Sequence, residues 1–139
     1  MSVPTLEEIN RFGQGFLPGY LDFVVTEIAE GHLRAEIAIQ PHHMAPNGYL
    51  HAATVITLAD TAAGYGCRTL LPAGASGFTT IELKANYLGT ARDGIIECVA
   101  SVVHRGSTTQ VWDSVVTHQT TGKTIALFRC TQMILYPRR

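Results

Sequence analysis

One stretch constrains the fold more than any other. Residues 50–70 read LHAATVITLADTAAGYGCRTL. The run is long, rich in alanine and free of proline, and it lacks two-residue alternation, so it predicts a helix. Its apolar residues occupy nearly every side, and such a helix is normally buried under another layer. Pro72-Ala73-Gly74 closes it.

The residues after the helix read as strands. TTIELKANYL runs to Arg92-Asp93-Gly94, IIECVASVVH to Arg105-Gly106, TTQVWDSVVTHQ to Thr121-Gly122, and KTIALFRCTQMIL to Pro137. Regular turn signals between such segments predict an antiparallel meander. The second segment is apolar on both faces, with Ile95, Val99 and Val103 on one and Ile96, Cys98 and Val102 on the other. The second face is therefore expected to meet another subunit.

Ahead of the helix, residues 4–17 begin as a short helix, with Pro4 in its first turn and Pro18-Gly19 ending it. Residues 20–40 read as a hairpin turning at Glu30-Gly31, and QPHHMAPNG as a loop. The expected architecture is α+β: one antiparallel sheet of about six strands wrapped around one long central helix. A chain of 139 residues with 46% hydrophobic content forms one such domain.

Composition narrows the function classes. A formal net charge of −1 leaves no basic footprint for nucleic acid. Cys67, Cys98 and Cys130 are odd in number and form no close pair, which predicts free thiols in a reducing compartment. MSVPTLEEIN does not read as a signal peptide, and no apolar run reaches the roughly 18–20 residues of a membrane span. A soluble cytoplasmic protein is the expectation.

Asp60 is the only formal charge between Ile37 and Cys67. Burying a carboxylate in that setting is costly unless it is bonded or paired. It serves either as a structural group bonded to Thr57, Thr61 or a neighbouring chain, or as a general base or nucleophile in a cleft. The first turn of the helix offers backbone N–H groups that favour negative charge. Either they polarise a carbonyl, or Asn47 and water cap them. His51 cannot partner Asp60 within one helix, because nine residues turn through about 900° and rise roughly 13 Å. Ala52 N–H and Asp60 are likewise about 12 Å apart along the axis. If both act on one substrate atom, they come from two chains, and the protein is at least a dimer.

Gly48-x-x-His51-Ala52-Ala53, followed by Leu58-Ala59-Asp60-Thr61-Ala62, resembles the G-x-x-H-G-G…L-A-D-T-A pattern of the phenylacetate-pathway-type (PaaI-like) hotdog-fold acyl-CoA thioesterases. The resemblance spans about residues 20 to 136, and Thr121-Gly122-Lys123 looks like the family's last hairpin turn. It implies a single hotdog domain over residues 1–139, hydrolysis of an acyl-CoA with no cofactor or metal, and a homodimer with shared active sites that doubles to a homotetramer. Asp60 falls on the family's catalytic carboxylate. Ala52 falls on the glycine whose N–H polarises the thioester carbonyl from the opposite subunit. Thr80 falls near a water-orienting Ser/Thr. Gly48, His51, Ala53, Thr57 and Gly64 fall in the substrate-binding region. Arg105 and Ser107, or Arg92, are the candidates for coenzyme A phosphate contacts.

The chain departs from the pattern at three places. Ala52-Ala53 replaces the glycine pair, which keeps the N–H but narrows the approach. Ala45 occupies the family's asparagine position, leaving Asn47 as a displaced candidate. Arg105-Gly106-Ser107-Thr108 lacks the paired basic residues of many relatives. Two other readings stand beside hydrolysis: a non-hydrolytic acyl-CoA-binding module, and a hydratase using His104 or His118. His42-His43 reads as a loop feature, not a metal site. The Gly-x-Gly pairs do not make a dinucleotide site, no G-x-S-x-G elbow occurs, and Trp112 reads as packing.

Overall fold

Thr5 sets the start of the first helix. Its hydroxyl accepts the Glu8 N–H at 3.1 Å, and the Glu8 carboxylate accepts the Thr5 N–H at 2.8 Å. The computed structural model describes residues 3–139, and in it helix α1 runs Leu6–Phe12. Pro4 therefore precedes the cap instead of occupying the first turn. Pro18-Gly19 does not end this helix either. Pro18 sits in the first turn of a second short helix, α2 (Leu17–Tyr20), where a missing N–H leaves no bond unmade. Asn10 ties α1 to the sheet by exchanging two hydrogen bonds with the backbone of Val25.

Strands β1 (Val24–Ala29) and β2 (His32–Ala38) form the expected hairpin. A short 3₁₀ turn at Pro41–His43 interrupts the loop before the long helix α3 (Ala52–Thr69). Strands β3 (Gly77–Tyr87), β4 (Ile95–Arg105), β5 (Thr109–His118) and β6 (Thr124–Leu135) come after it. The sheet has six antiparallel strands in the order β1-β2-β4-β5-β6-β3. The meander thus holds only for β4, β5 and β6. Strand β2 takes the near side of β4, pairing Leu33 with Ala100 and Ile37 with Ile96. Strand β3 has no place there and crosses to the far edge, where Leu83 lies opposite Cys130 of β6.

The inner face of the sheet holds α3. Leu58, Ala62 and Ala63 of the helix are fully buried, as are Leu33, Ile96 and Val116 of the strands. The closest approach is at Gly66, where an added Cβ would lie 2.5 Å from the Trp112 ring. The indole N–H donates to Gln110 Oε1 at 2.8 Å, and Gln110 Nε2 donates to the Leu70 carbonyl at 3.0 Å. Ser114 Oγ donates to the Ala59 carbonyl at 2.9 Å. Gly66→Ala is expected to lower stability by about 1–2 kcal/mol, the strain of overpacking exceeding the gain in helix propensity. A urea midpoint shifted down with an unchanged slope is the measurement.

The helix is not covered all round. Ile56, Asp60, Thr61 and Tyr65 are half-buried, and Ala52, Ala53 and Arg68 are exposed, leaving one open stripe along α3. Among the described residues no helix is long and apolar enough to cross a membrane. The three cysteines are buried and unpaired.

Candidate active site

The loop into α3 is shaped by Gly48, whose φ of +87° suits glycine, and whose N–H donates to the Ala45 carbonyl at 3.0 Å. Asn47 Oδ1 accepts the Tyr49 N–H at 3.1 Å. It closes this turn and does not cap the helix. The cap is His51, whose Nδ1 accepts the Ala53 N–H at 2.9 Å. The N–H groups of Thr54 and Val55 both donate to the His51 carbonyl. That leaves Ala52 N–H, at the positive end of an 18-residue helix, with no acceptor among the described residues. Beside it lies a cleft of about 250 Å³ lined by Asn47, Tyr49, Leu50, Ala52, Tyr87 and Thr90. The Tyr87 hydroxyl donates to the Ala52 carbonyl at 3.3 Å, and the Arg92 guanidinium stands over the Tyr49 ring at 4.8 Å.

Asp60 lies two turns further on, in the open stripe. Of the expected structural partners within the chain, Thr57 is occupied elsewhere, because its Oγ1 donates to the Ala53 carbonyl at 2.8 Å, and Thr61 makes no side-chain bond to Asp60. One carboxylate oxygen of Asp60 is buried without a hydrogen-bond partner among the described residues. Burial pushes its pKa above the ordinary carboxylate value. A desolvated, unbonded carboxylate of this kind costs stability and is a strong proton acceptor.

The remaining candidates divide by location. Gly64 is buried one turn beyond Asp60, against the Phe78 ring. Past it opens a larger cavity of about 740 Å³, lined by Ile9, Phe12, Tyr65, Arg68, Leu71 and Phe78 among others. Thr80 donates to Gln132 Oε1 at 2.7 Å and has no bond to Asp60 in the same protomer. Arg105 pairs with Glu30 at 3.0 Å, and the Ser107 carbonyl accepts from the Tyr136 hydroxyl. Both stand at the end of the sheet where Gln110 holds Leu70, the C-terminal end of α3. One protomer therefore does not bring Arg105 or Ser107 to Ala52, whereas Arg92 stands beside the helix start. His118 Nε2 is bonded to the Asp93 carbonyl at 2.8 Å, and His104 is exposed beside Gly106. Neither is bonded to Asp60. Tyr87 and Phe78 escaped sequence reasoning because their relation to α3 depends on β3 lying at the far edge of the sheet.

A family model described as the thioesterase superfamily matches residues 47–125, which carry α3 and the whole of β3, β4 and β5. The chain belongs to the thioesterase superfamily. It is 32% identical over 111 residues to a 1,4-dihydroxy-2-naphthoyl-CoA hydrolase of Escherichia coli (strain K12), covering 78% of this chain and 79% of that one. It is 29% identical over 119 residues to an enzyme of the same name from Listeria monocytogenes, covering 86% and 94%. The structure superposes on a mutant of thioesterase PA1618 from Pseudomonas aeruginosa with a TM-score of 0.91, at 25% identity and 96% coverage of each chain. The sheet wrapped around one helix is the hotdog fold of these enzymes, and the chain is an enzyme of this family.

Proposed function

We propose that this enzyme hydrolyses an acyl-CoA thioester to the free acid and coenzyme A, with Asp60 as base or nucleophile. The observation that carries this reading is the buried, unbonded oxygen of Asp60 on the helix whose Ala52 N–H is also unspent. In the water-mediated form, Asp60 takes a proton from water and the resulting hydroxide attacks the thioester carbonyl. The oxyanion accepts the Ala52 N–H at the positive end of α3. Collapse breaks the C–S bond, and the thiolate leaves with the proton held by Asp60. The relatives named above as hydrolases of an aromatic acyl-CoA support the substrate class. The aromatic walls of the larger cavity suit an aromatic or medium-chain acyl group.

The two groups belong to one site only across a two-fold axis, since about 12 Å separates them along one helix. Two features support a homodimer. The open stripe of α3 carries Asp60, and the outer edge of β3 is unpaired among the described residues and leaves Leu83 and Tyr87 exposed. The exposed Val103, Val115, Leu127 and Met133 of β4, β5 and β6 suit a further pairing to a tetramer. Arg92 takes a coenzyme A phosphate at the helix start, beside the cleft lined by Asn47 and Ala52, the chain neighbours of Gly48, His51 and Ala53. Unpaired cysteines support a cytoplasmic location.

The test is incubation with a panel of aromatic and aliphatic acyl-CoAs and detection of free thiol. Thiol release is expected. Tight binding of panel members without release from any of them would overturn hydrolysis in favour of a binding module, which the two methyl groups of Ala52-Ala53 favour. Hydration of crotonyl-CoA would instead favour a hydratase. Because Asp60 must be ionised to act and its pKa is raised by burial, kcat/KM is expected to fall on the acid side at a pH above the usual carboxylate range. A pH profile of kcat/KM checks this.

A further inference from the structure

Asp22, His42 and His43 bring three potential metal-ligand atoms within 4.8 Å of one another. The bonding around them describes a different device. His43 is fully buried. Its Nδ1 accepts the Gln40 N–H at 2.9 Å, so the proton of the neutral ring is on Nε2. That N–H faces the Leu21 carbonyl at 2.9 Å and Asp22 Oδ2 at 3.2 Å. His42 Nε2 lies 2.8 Å from the same Asp22 oxygen. A metal on His43 Nε2 would require the ring to lose that proton while Nδ1 still accepted one bond. Metal-bound histidines do the reverse and donate from the second nitrogen. Burial, reinforced by His42, lowers the His43 pKa, as suits a ring held neutral. Asp22 holds its place with a φ of +62°, the one positive value at a non-glycine among the described residues.

The ring therefore clamps the backbone at residue 43 to three separate points. The carbonyl of that same residue receives the His51 N–H at 3.1 Å and the Thr54 hydroxyl at 2.9 Å. His51 is the cap of α3 and Thr54 its third residue. Ala52 lies between these two tethers. We infer that His43 is a positioning residue for thioester hydrolysis: clamped by Gln40, Leu21 and Asp22, it fixes the start of α3 and so the aim of Ala52 N–H. The inference rests on the role given above to Ala52.

The test reads the aim directly. Benzoyl-CoA labelled with ¹³C at the thioester carbonyl is bound to the Asp60→Asn protein, which keeps the ester intact. Its carbonyl band is measured by difference infrared spectroscopy. Binding is expected to lower the band from its position in solution. Adding His43→Asn is expected to return most of that shift. Thr54→Val, which leaves the ring in place and removes one tether, is expected to do the same. In the protein with Asp60 intact, each change is expected to lower kcat about 10-fold or more, with KM within roughly twofold. A band that stays as low in folded Thr54→Val, and in His43→Asn where that folds, overturns the inference while leaving the Ala52 assignment standing. No binding or no lowering in Asp60→Asn itself removes the Ala52 assignment, and this inference with it.

Discussion

Asp60→Asn is expected to lower turnover by about 10²–10⁴-fold, the range of a lost general base, and to leave a folded protein that is more stable wherever the carboxyl it replaces would be ionised. The amide keeps the size and loses the proton-accepting charge. The stability gain follows from the raised pKa. A carboxyl whose pKa is higher folded than unfolded contributes stability below the unfolded pKa, and that contribution is lost as pH rises through the folded one. Above that raised pKa Asp60 is ionised, with a buried oxygen that bonds to nothing among the described residues. Replacing it relieves part of a penalty of about 1–3 kcal/mol. Calorimetry of both proteins near pH 4 and pH 8 checks this. The mutant's advantage is expected at the higher pH and to shrink at the lower. Near-normal turnover in the mutant would remove Asp60 from the mechanism.

Ala52→Pro is expected to lower kcat by about 10²–10³-fold, the usual effect of deleting one oxyanion donor. A backbone N–H is rarely open to mutation, but here it is. Ala52 is the first helical residue, where proline is favoured and the N–H makes no internal bond. The preceding His51 has φ −68° and ψ 134°, which the residue before a proline adopts readily. Ala52→Val adds bulk and keeps the donor, so it separates crowding from loss of the hydrogen bond. Equal rates for the proline and valine variants would sink the oxyanion role. The two inactive variants also test the shared site. Refolded together, Asp60→Asn and Ala52→Pro chains form mixed dimers with one site fully equipped, restoring about a quarter of wild-type activity. No recovery in proven mixed dimers would overturn the shared site.

Much of this was legible in the sequence because period and turn chemistry are local. The lack of alternation in 50–70 marked α3, and Gly31, Gly94 and Gly122, all at positive φ, marked strand ends. The neighbour of β3 was not legible, since every strand pattern is satisfied by several pairings until β2 claims the side of β4. The open stripe of α3 was hidden for a related reason. Alanine, threonine and tyrosine suit a buried face and a half-buried one equally, so only the reach of the sheet decides which face stays bare. Capping by His51 was missed because histidine is not among the preferred cap residues.

The attachments of α3 carry one more consequence. Its start hangs from the His43 carbonyl, its middle from Ser114 and its end from Gln110, with Gly66 seated on Trp112. A helix fastened at three heights can neither slide nor roll by a useful amount. Under the mechanism proposed above, the axis of chemistry is then a fixed instrument, and adaptation to new acyl groups falls to the walls of the larger cavity. Tyr65, Phe78 and the short helix that bears Phe12 can be exchanged while the carboxylate keeps its bearing. On that reading, substrate range and reactivity can drift separately in this protein, the first by wall substitutions and the second by changes to Asp60, the helix start or the fastenings.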